Sequence, residues 1–86
     1  MSPAYEHVPR RRKVAGAKAV IKAISRGSVE RVLVAKDADT KVLSDVINLA
    51  EKSDVEIYWV CSMKELGEYC GISVGASCCA ILKNEG

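Results

Sequence analysis

The chain has 86 residues, which is enough for one domain with a modest core. Hydrophobic residues make up 49% and charged residues 28%, and this composition excludes a disordered or fibrous protein. No apolar run is long enough to cross a bilayer, and the N-terminus lacks the apolar core of a secretory signal. We therefore expect a cytoplasmic protein without a membrane partner.

The first half of the chain predicts two helices and two strands. We expect a short helix around Ala4 to Val8 and a strand at Lys13 to Ala15. An apolar stripe then predicts an amphipathic helix that ends before Gly27, its C′ residue. The β-rich, apolar segment Arg31 to Lys36 predicts a strand that is covered on both faces. The stripe of the amphipathic helix consists of Ala17, Val20, Ile21 and Ile24.

The second half continues the alternation of helices and strands. The loop from Asp37 to Thr40 supplies an N-cap for a helix that ends near Ser53. Ser62 and Glu65 have the spacing of a capping box and predict the start of another helix. The other predicted features are the strand Glu56 to Val60, the helix end at Gly71 and the strand Ala76 to Leu82.

This order of elements predicts an α/β fold, a three-layer α/β/α sandwich with helices on both faces of the sheet. We expect a basic N-terminal helix or extension at residues 1–12 and a single domain at residues 13–86. Two candidate binding segments are the turn at Gly16, after the first strand, and the loop at residues 72–75, before the last strand. For these two segments to lie side by side, the first and last strands must run antiparallel. The fold prediction is therefore a mixed four-stranded sheet.

The cysteines do not have the spacing of a metal or redox site. No pair forms a C-x-x-C motif, and the only histidine is His7, far away in sequence. Cys78 and Cys79 are adjacent in a predicted strand and would point to opposite faces. We interpret the cysteines as small apolar residues in a reducing compartment and predict no metal and no cofactor.

Charge is distributed unevenly although the net charge is only +2. Residues 1–41 contain ten Lys or Arg and four Asp or Glu, whereas residues 42–86 contain three and seven. Lys18, Lys22 and Arg26 recur every four residues and form a cationic stripe on one helix. The stripe begins just after Gly16, where free backbone N–H groups attract anions. A polyanion such as RNA and a merely solvated basic face both fit this pattern.

A short loop carries apolar side chains. Ile72, Ser73, Val74 and Gly75 lie between a predicted helix and the last strand. Such side chains either pack inward or contact a partner, for instance the unstacked bases of a folded RNA.

Three segments, taken together, resemble a known family. They are residues 16–27 with Gly16-Ala17-Lys18 at their start, VLVAKDAD at 32–39, and MKELGEYCGISVGAS at 63–77. The chain resembles the ribosomal protein L7Ae/L30e family of kink-turn RNA-binding proteins, over roughly residues 13–82. It looks most similar to small stand-alone bacterial members of the YbxF type.

The resemblance implies binding to a sharply bent RNA that contains tandem sheared G·A pairs. By this resemblance Lys18 reaches guanine edges, Lys22 and Arg26 hold phosphates, and Lys36 adds a phosphate contact. Residues 72–75 line the contact to a flipped-out nucleotide. Gly16 and Ala17 form the helix start beside the bases. The implied partner is a kink-turn in rRNA or mRNA, with the ribosome as a candidate assembly and a monomeric protein.

The sequence departs from the family pattern at three positions. Lys18 stands where many members have Asn, and Lys there resembles the bacterial type. Ala19 stands where a Glu or Gln usually follows, which removes one base contact. Thr40 stands where many members have a Pro after the aspartate loop. We expect this difference to affect only the start of the next helix.

Two other function classes compete with RNA binding. In a protein–protein interaction module of the same fold, the basic stripe would be a solvated face and the apolar loop a docking patch. A small enzyme would use Asp37 and Asp39, although neither has a histidine or a third ligand nearby in sequence. We predict a binding module and not an enzyme.

Overall fold

The computed structural model describes residues 8–83, with the exception of the Arg10 side chain. A 3₁₀ turn at Arg10–Arg12 precedes the regular elements. In chain order these are β1 (Lys13–Ala15), α1 (Ala17–Ser25), β2 (Val29–Ala35), α2 (Thr40–Lys52), β3 (Glu56–Val60), α3 (Met63–Cys70) and β4 (Cys78–Leu82).

The elements predicted from Lys13 onward are present, with small differences at three strand ends. β2 ends at Ala35, one residue before the predicted Lys36. β2 begins at Val29, before the predicted Arg31, and its pairing register with β4 shifts between these two residues. β4 begins at Cys78 because the amide of Ala76 donates a hydrogen bond to Met63 in α3 instead of joining a strand (3.0 Å). The helix predicted around Ala4 to Val8 lies outside the described residues except for Val8, which is not helical.

Local capping explains where the helices begin and end. The Asp39 carboxylate accepts a hydrogen bond from the Lys41 amide at the start of α2 (2.8 Å). The Ser62 hydroxyl accepts one from the Glu65 amide at the start of α3 (3.1 Å), as the capping box predicts. Gly71 adopts the left-handed conformation that ends α3.

The four strands form one mixed sheet in the order β1-β4-β2-β3. β4 runs antiparallel to both of its neighbours, and β2 is parallel to β3. The carboxyl ends of β1, β2 and β3 therefore meet the amino end of β4 at one edge of the sheet. We call this edge, formed by Ala15, Ala35, Val60 and Cys78, the carboxyl edge.

Helices cover both faces of the sheet, so the three-layer prediction is confirmed. Val32 and Val34 of β2 are fully buried against α1 and α2. Leu33 and Ala35 of the same strand are fully buried against α3 on the other face. Truncating a buried leucine such as Leu33 to alanine typically costs about 2–5 kcal/mol. Within residues 8–83, no helix combines the length and apolar composition that a membrane span needs.

Three of the four cysteines are core residues. Cys78 faces α1 and α2, whereas Cys79 faces α3 beside Cys70, as the strand alternation predicts. A hydrogen bond from the Cys79 thiol to Cys70 lowers the pKa of Cys70, and together with burial it raises the pKa of Cys79. Burial also raises the pKa of Cys78. Cys61 is exposed at the end of β3.

Candidate nucleic-acid interface

The start of α1 is an open helix N-terminus at the carboxyl edge. Gly16 is the N-cap residue, with φ 99° and ψ 144°, and no side chain caps it within the described part of the chain. The first turn of α1 carries no acidic residue. Uncapped backbone N–H groups at a helix start carry partial positive charge, and Lys18 is exposed beside them. This surface therefore attracts anions.

Gly16 is held in place by the first residue of β4. Its amide donates a hydrogen bond to the Cys78 carbonyl oxygen (3.0 Å), and its own carbonyl oxygen accepts one from the Val20 amide (2.9 Å). Glycine adopts a φ of 99° without strain, whereas an L side chain rarely does. The residue thus turns the chain sharply from β1 into α1.

The structure divides the basic residues into engaged and available groups. Lys18, Lys22 and Arg26 are exposed, and their side chains form no hydrogen bond or ion pair with other described residues. By contrast, Arg12 and Arg31 both pair with Glu30, at 3.4 and 2.8 Å. The engaged pair lies toward the opposite edge of the sheet, whereas Lys18, Lys22 and Arg26 leave a row of available positive charge along α1.

Lys13 is also engaged. Its ammonium donates to the Tyr69 carbonyl oxygen (2.8 Å) and lies 3.8 Å from the centroid of the Tyr69 ring. This cation–π contact ties β1 to α3. Lys13 therefore contributes to the packing of α3 on the sheet and does not extend the cationic stripe of α1.

The stripe runs away from the carboxyl edge along α1. Lys22 lies one helical turn beyond Lys18, and Arg26 lies about 12 Å from Lys18 along the helix axis. Arg26 is the C-cap of α1, next to the turn where Ser28 accepts a hydrogen bond from the Lys83 amide (2.8 Å). The structure thus brings Lys18 to the carboxyl edge and places Arg26 at the opposite edge.

The predicted apolar loop lies before β4 and is divided between core and surface. Ile72 is half-buried and packs against the α3-side core, and its amide donates to the Gly67 carbonyl oxygen (3.0 Å). Val74 is 69% exposed, and Ser73 and Gly75 are exposed as well. Inward packing therefore accounts for Ile72 but not for Val74.

Gly67, in the interior of α3, sets the path of this loop. A Cβ built on Gly67 would overlap the Val74 carbonyl oxygen and lie 3.0 Å from the Gly75 Cα. A Cβ on Gly75 would in turn lie 3.1 Å from the Met63 Cβ. Close backbone packing on α3 thus turns the Val74 side chain outward. A glycine inside a predicted helix is the sequence signal for such a contact, and our sequence reasoning did not use it.

Lys36 joins the same edge from the end of β2. It is exposed, and its amide donates to the Val60 carbonyl oxygen (2.9 Å). The next residue, Asp37, accepts a hydrogen bond from the Met63 amide at the start of α3 (2.8 Å). Asp37 and Asp39 therefore both serve as helix caps, which is the structural alternative to the enzyme hypothesis.

The candidate site residues converge through β4. Gly75 precedes Cys78 by three residues, so it lies at most about 10 Å along the chain from the partner of Gly16. The Ala35 amide donates to the Ser77 carbonyl oxygen (3.0 Å), which brings Lys36 to the same place. The carboxyl edge therefore gathers three segments: residues 16–18, Lys36 and residues 72–75.

Comparisons with known proteins identify relatives of this chain. A family model described as "Ribosomal protein L7Ae/L30e/S12e/Gadd45 family" matches residues 5–86. A Bacillus pumilus protein named RNA-binding protein is 46% identical over 69 residues, which are 80% of this chain and 84% of the relative. RNA-binding protein YbxF of Geobacillus stearothermophilus is 40% identical over 80 residues, which are 92% of this chain and 98% of the relative.

A solved structure has the same fold. The 15.5 kD RNA-binding protein of Giardia lamblia superposes with a TM-score of 0.81 at 28% sequence identity. The match covers 87% of this chain and 63% of the Giardia chain. This chain therefore spans less than two-thirds of the length of that neighbour.

Proposed function

Because this chain belongs to the ribosomal protein L7Ae/L30e/S12e/Gadd45 family, we propose that it binds RNA and selects the sharply bent kink-turn fold. The resemblance predicted from three sequence segments is confirmed by the family match and by the stand-alone bacterial relatives. Those relatives are named RNA-binding proteins and align with four-fifths or more of this chain. Their names support RNA as the partner.

The observation that carries the proposal is the hydrogen bond between Gly16 and Cys78 at the carboxyl edge. It holds an uncapped helix N-terminus beside a loop whose Val74 side chain faces solvent. The start of α1 offers positive charge for phosphates and base edges. The loop with Val74 offers an apolar surface for an unstacked base. A folded RNA that presents both features fits across the edge, whereas a regular duplex presents only phosphates and grooves.

Each residue at the edge has a proposed role. Lys18 donates to the O6 and N7 acceptors of guanine, which a widened major groove exposes at the G·A pairs. Gly16 and Ala17 let the RNA backbone approach the helix start closely. Val74 and Ser73 contact the flipped-out nucleotide, while Ile72 and Gly75 hold the loop against α3.

Three further basic residues are proposed to contact phosphates, and they lie progressively farther from the base contacts. Lys36 and Lys22 flank the edge, and Arg26 reaches only an RNA arm that runs along α1. Ala19 is exposed beside Lys18 but offers no polar side chain to a base. Base discrimination therefore depends mainly on Lys18.

Binding acts by selection of the bent state. The contacts of Lys18 and Val74 can form together only when the RNA is kinked, so binding stabilises that state over the extended one. Shifting a population from 1:99 to 99:1 requires a preference of about 10⁴, or about 5.5 kcal/mol. Only contacts that the bent RNA alone can make contribute to this preference, namely the base contact of Lys18, worth about 1–3 kcal/mol, and the apolar contact of Val74. We further propose a kink-turn in rRNA or mRNA as the target, bound by a monomer in the cytoplasm.

A titration with two RNAs of equal length and charge tests this function. One RNA contains a kink-turn, and the other has its tandem G·A pairs replaced by Watson–Crick pairs. We expect preferential binding of the kink-turn RNA, with affinity that falls steeply as salt rises. Equal affinities for the two RNAs would contradict kink-turn selection, and no salt-dependent binding to either would favour the protein–protein module.

A further inference from the structure

A second surface lies on β3, next to the carboxyl edge that we propose as the kink-turn binding surface. A cavity of about 410 Å³ opens between α2 and the end of the sheet. We call it the Trp59 pocket. Its floor and walls include Trp59, Leu43, Ile47, Ser44, Asn48 and Lys36. Its volume is within the range of sites that hold small ligands.

Trp59 exposes a large apolar surface in this pocket. It is the only tryptophan in the chain, and it is 51% exposed on the edge strand of the sheet. In the pairing register Trp59 lies beside Val34, whose side chain faces α1 and α2, so the indole lies over α2. A half-exposed indole over an apolar groove offers a flat π-face to a planar ligand.

The position and charge of the pocket indicate the kind of planar ligand that would bind there. Lys36 lines the Trp59 pocket and also belongs to the carboxyl edge, so the two surfaces are continuous. Of the described residues that line the pocket, Lys36 is the one charged residue, and its charge suits a phosphate. The strand order places β1 three strand spacings from β3, about 15 Å across the sheet. A single strand of RNA that leaves a kink-turn bound at the carboxyl edge can cross this distance.

We infer that the Trp59 pocket binds an unstacked nucleobase of single-stranded RNA that continues from the kink-turn. The base stacks on the indole of Trp59, Lys36 contacts the adjoining phosphate, and the amide of Asn48 and the hydroxyl of Ser44 meet the base edge. Aromatic stacking tolerates any base, so the pocket adds affinity for a flanking strand with little sequence preference. The inference rests on the proposed function, because the kink-turn delivers the strand to the pocket.

The experiment compares a blunt kink-turn RNA with kink-turn RNAs that carry a five-nucleotide single-stranded extension, one RNA for each strand end. Trp59 fluorescence reports directly on the pocket because no other tryptophan contributes. We expect one extended RNA to quench Trp59 strongly and to bind about tenfold more tightly than the blunt RNA. We expect the blunt RNA to bind without this quenching.

Two variants separate stacking from simple apolar contact. Trp59→Phe retains an aromatic face and should keep most of the advantage of the extended RNA. Trp59→Leu keeps apolar bulk without a π-face and should bind extended and blunt RNA equally, with the blunt-RNA affinity of the unmodified protein. Thermal unfolding of each variant checks the fold, and the fluorescence measurement on the unmodified protein needs no variant.

The outcomes distinguish this inference from the function it rests on. Tight binding of blunt RNA with no quenching and no added affinity from any extension would overturn the inference and leave the proposed function intact. Failure of the protein to bind any kink-turn RNA would overturn both.

Discussion

The amide of Gly16 donates a 3.0 Å hydrogen bond to the carbonyl oxygen of Cys78, across the pairing of the first and last strands. This bond joins the start of α1 to the residue that follows the loop at 72–77. Because β4 runs antiparallel to β1, two segments that lie far apart in sequence form one edge.

Lys18→Ala should remove most of the discrimination between kink-turn RNA and its G·A-disrupted control. A good base contact is worth about 1–3 kcal/mol, so affinity for the kink-turn should fall about 10- to 100-fold. Titration of both RNAs measures this effect. Lys52→Ala, which removes an exposed lysine at the far end of α2, is the matched control and should change neither affinity. If the Lys18→Ala variant kept its selectivity, Lys18 would not make the proposed base contact.

Lys22→Ala should weaken binding without changing selectivity. Lys22 lies one turn from the helix start and is proposed to contact a phosphate, which carries no sequence information. We expect similar losses for the kink-turn and control RNAs. The slope of log K against log salt concentration should become shallower by about one unit. A loss confined to the kink-turn RNA would instead assign Lys22 to a base.

Gly16→Ala should lower both stability and RNA affinity. Space for a methyl group exists, because no atom of residues 8–83 lies within 4 Å of a Cβ built on Gly16, so the penalty comes from the backbone at φ 99°. Such strain costs about 1–3 kcal/mol, which urea unfolding measures. Relief of the strain would shift the helix start that faces the RNA, and titration with kink-turn RNA measures the resulting loss of affinity.

Gly27→Ala is the matched comparison for Gly16→Ala. Gly27 also has a positive φ, 73°, and the described residues leave room for a Cβ there, but it lies at the other end of α1. We expect a stability loss of about 1 kcal/mol and nearly unchanged RNA affinity at temperatures where the protein is folded. Equal losses of RNA affinity in Gly16→Ala and Gly27→Ala would contradict the proposal that the start of α1 contacts the RNA.

Gly67→Ala tests the packing that presents Val74 to solvent. Helix propensity alone predicts a gain of about 1 kcal/mol for this change. Overlap with the Val74 carbonyl oxygen predicts the opposite, a loss of about 1–3 kcal/mol with displacement of residues 72–75. We expect a lower midpoint in urea unfolding and weaker kink-turn binding. A more stable protein would show that the loop does not rest on Gly67.

Thiol labelling tests the assignment of the cysteines to the core. Cys61 is exposed and should react with iodoacetamide in the native protein well before the other three. Burial raises the pKa of Cys78, so its thiolate is scarcer than that of an ordinary cysteine at the same pH, which slows its reaction further. Mass spectrometry after brief labelling should find one modification, and four after unfolding. Early labelling of Cys78 or Cys79 would contradict the packing of β4.

The periodicity and capping signals of the sequence were sufficient to predict the helices. The stripe from Ala17 to Ile24 and the capping box of Ser62 and Glu65 are local patterns, and both are confirmed by the structure. The mixed sheet was also predicted, because only an antiparallel β4 brings the two candidate segments together.

The features that sequence reasoning missed depend on contacts distant along the chain. The overlap between Gly67 and the Val74 carbonyl, and the hydrogen bond from Met63 to Asp37, exist only once α3 is docked on the sheet. The engagement of Lys13 by Tyr69 could not be inferred from charge counts, which treat all basic residues alike. The exposure of Trp59 likewise follows from the edge position of β3, which local patterns do not specify.

Amide chemical-shift mapping with a kink-turn RNA tests most directly whether the carboxyl edge is the binding surface. On addition of RNA to ¹⁵N-labelled protein, we predict the largest shift changes at residues 16–19, at Lys36 and at residues 72–75. Residues at the opposite edge, such as Glu30 and Lys83, should change little. The largest changes at that opposite edge, with residues 16–19 and 72–75 unmoved, would contradict the account.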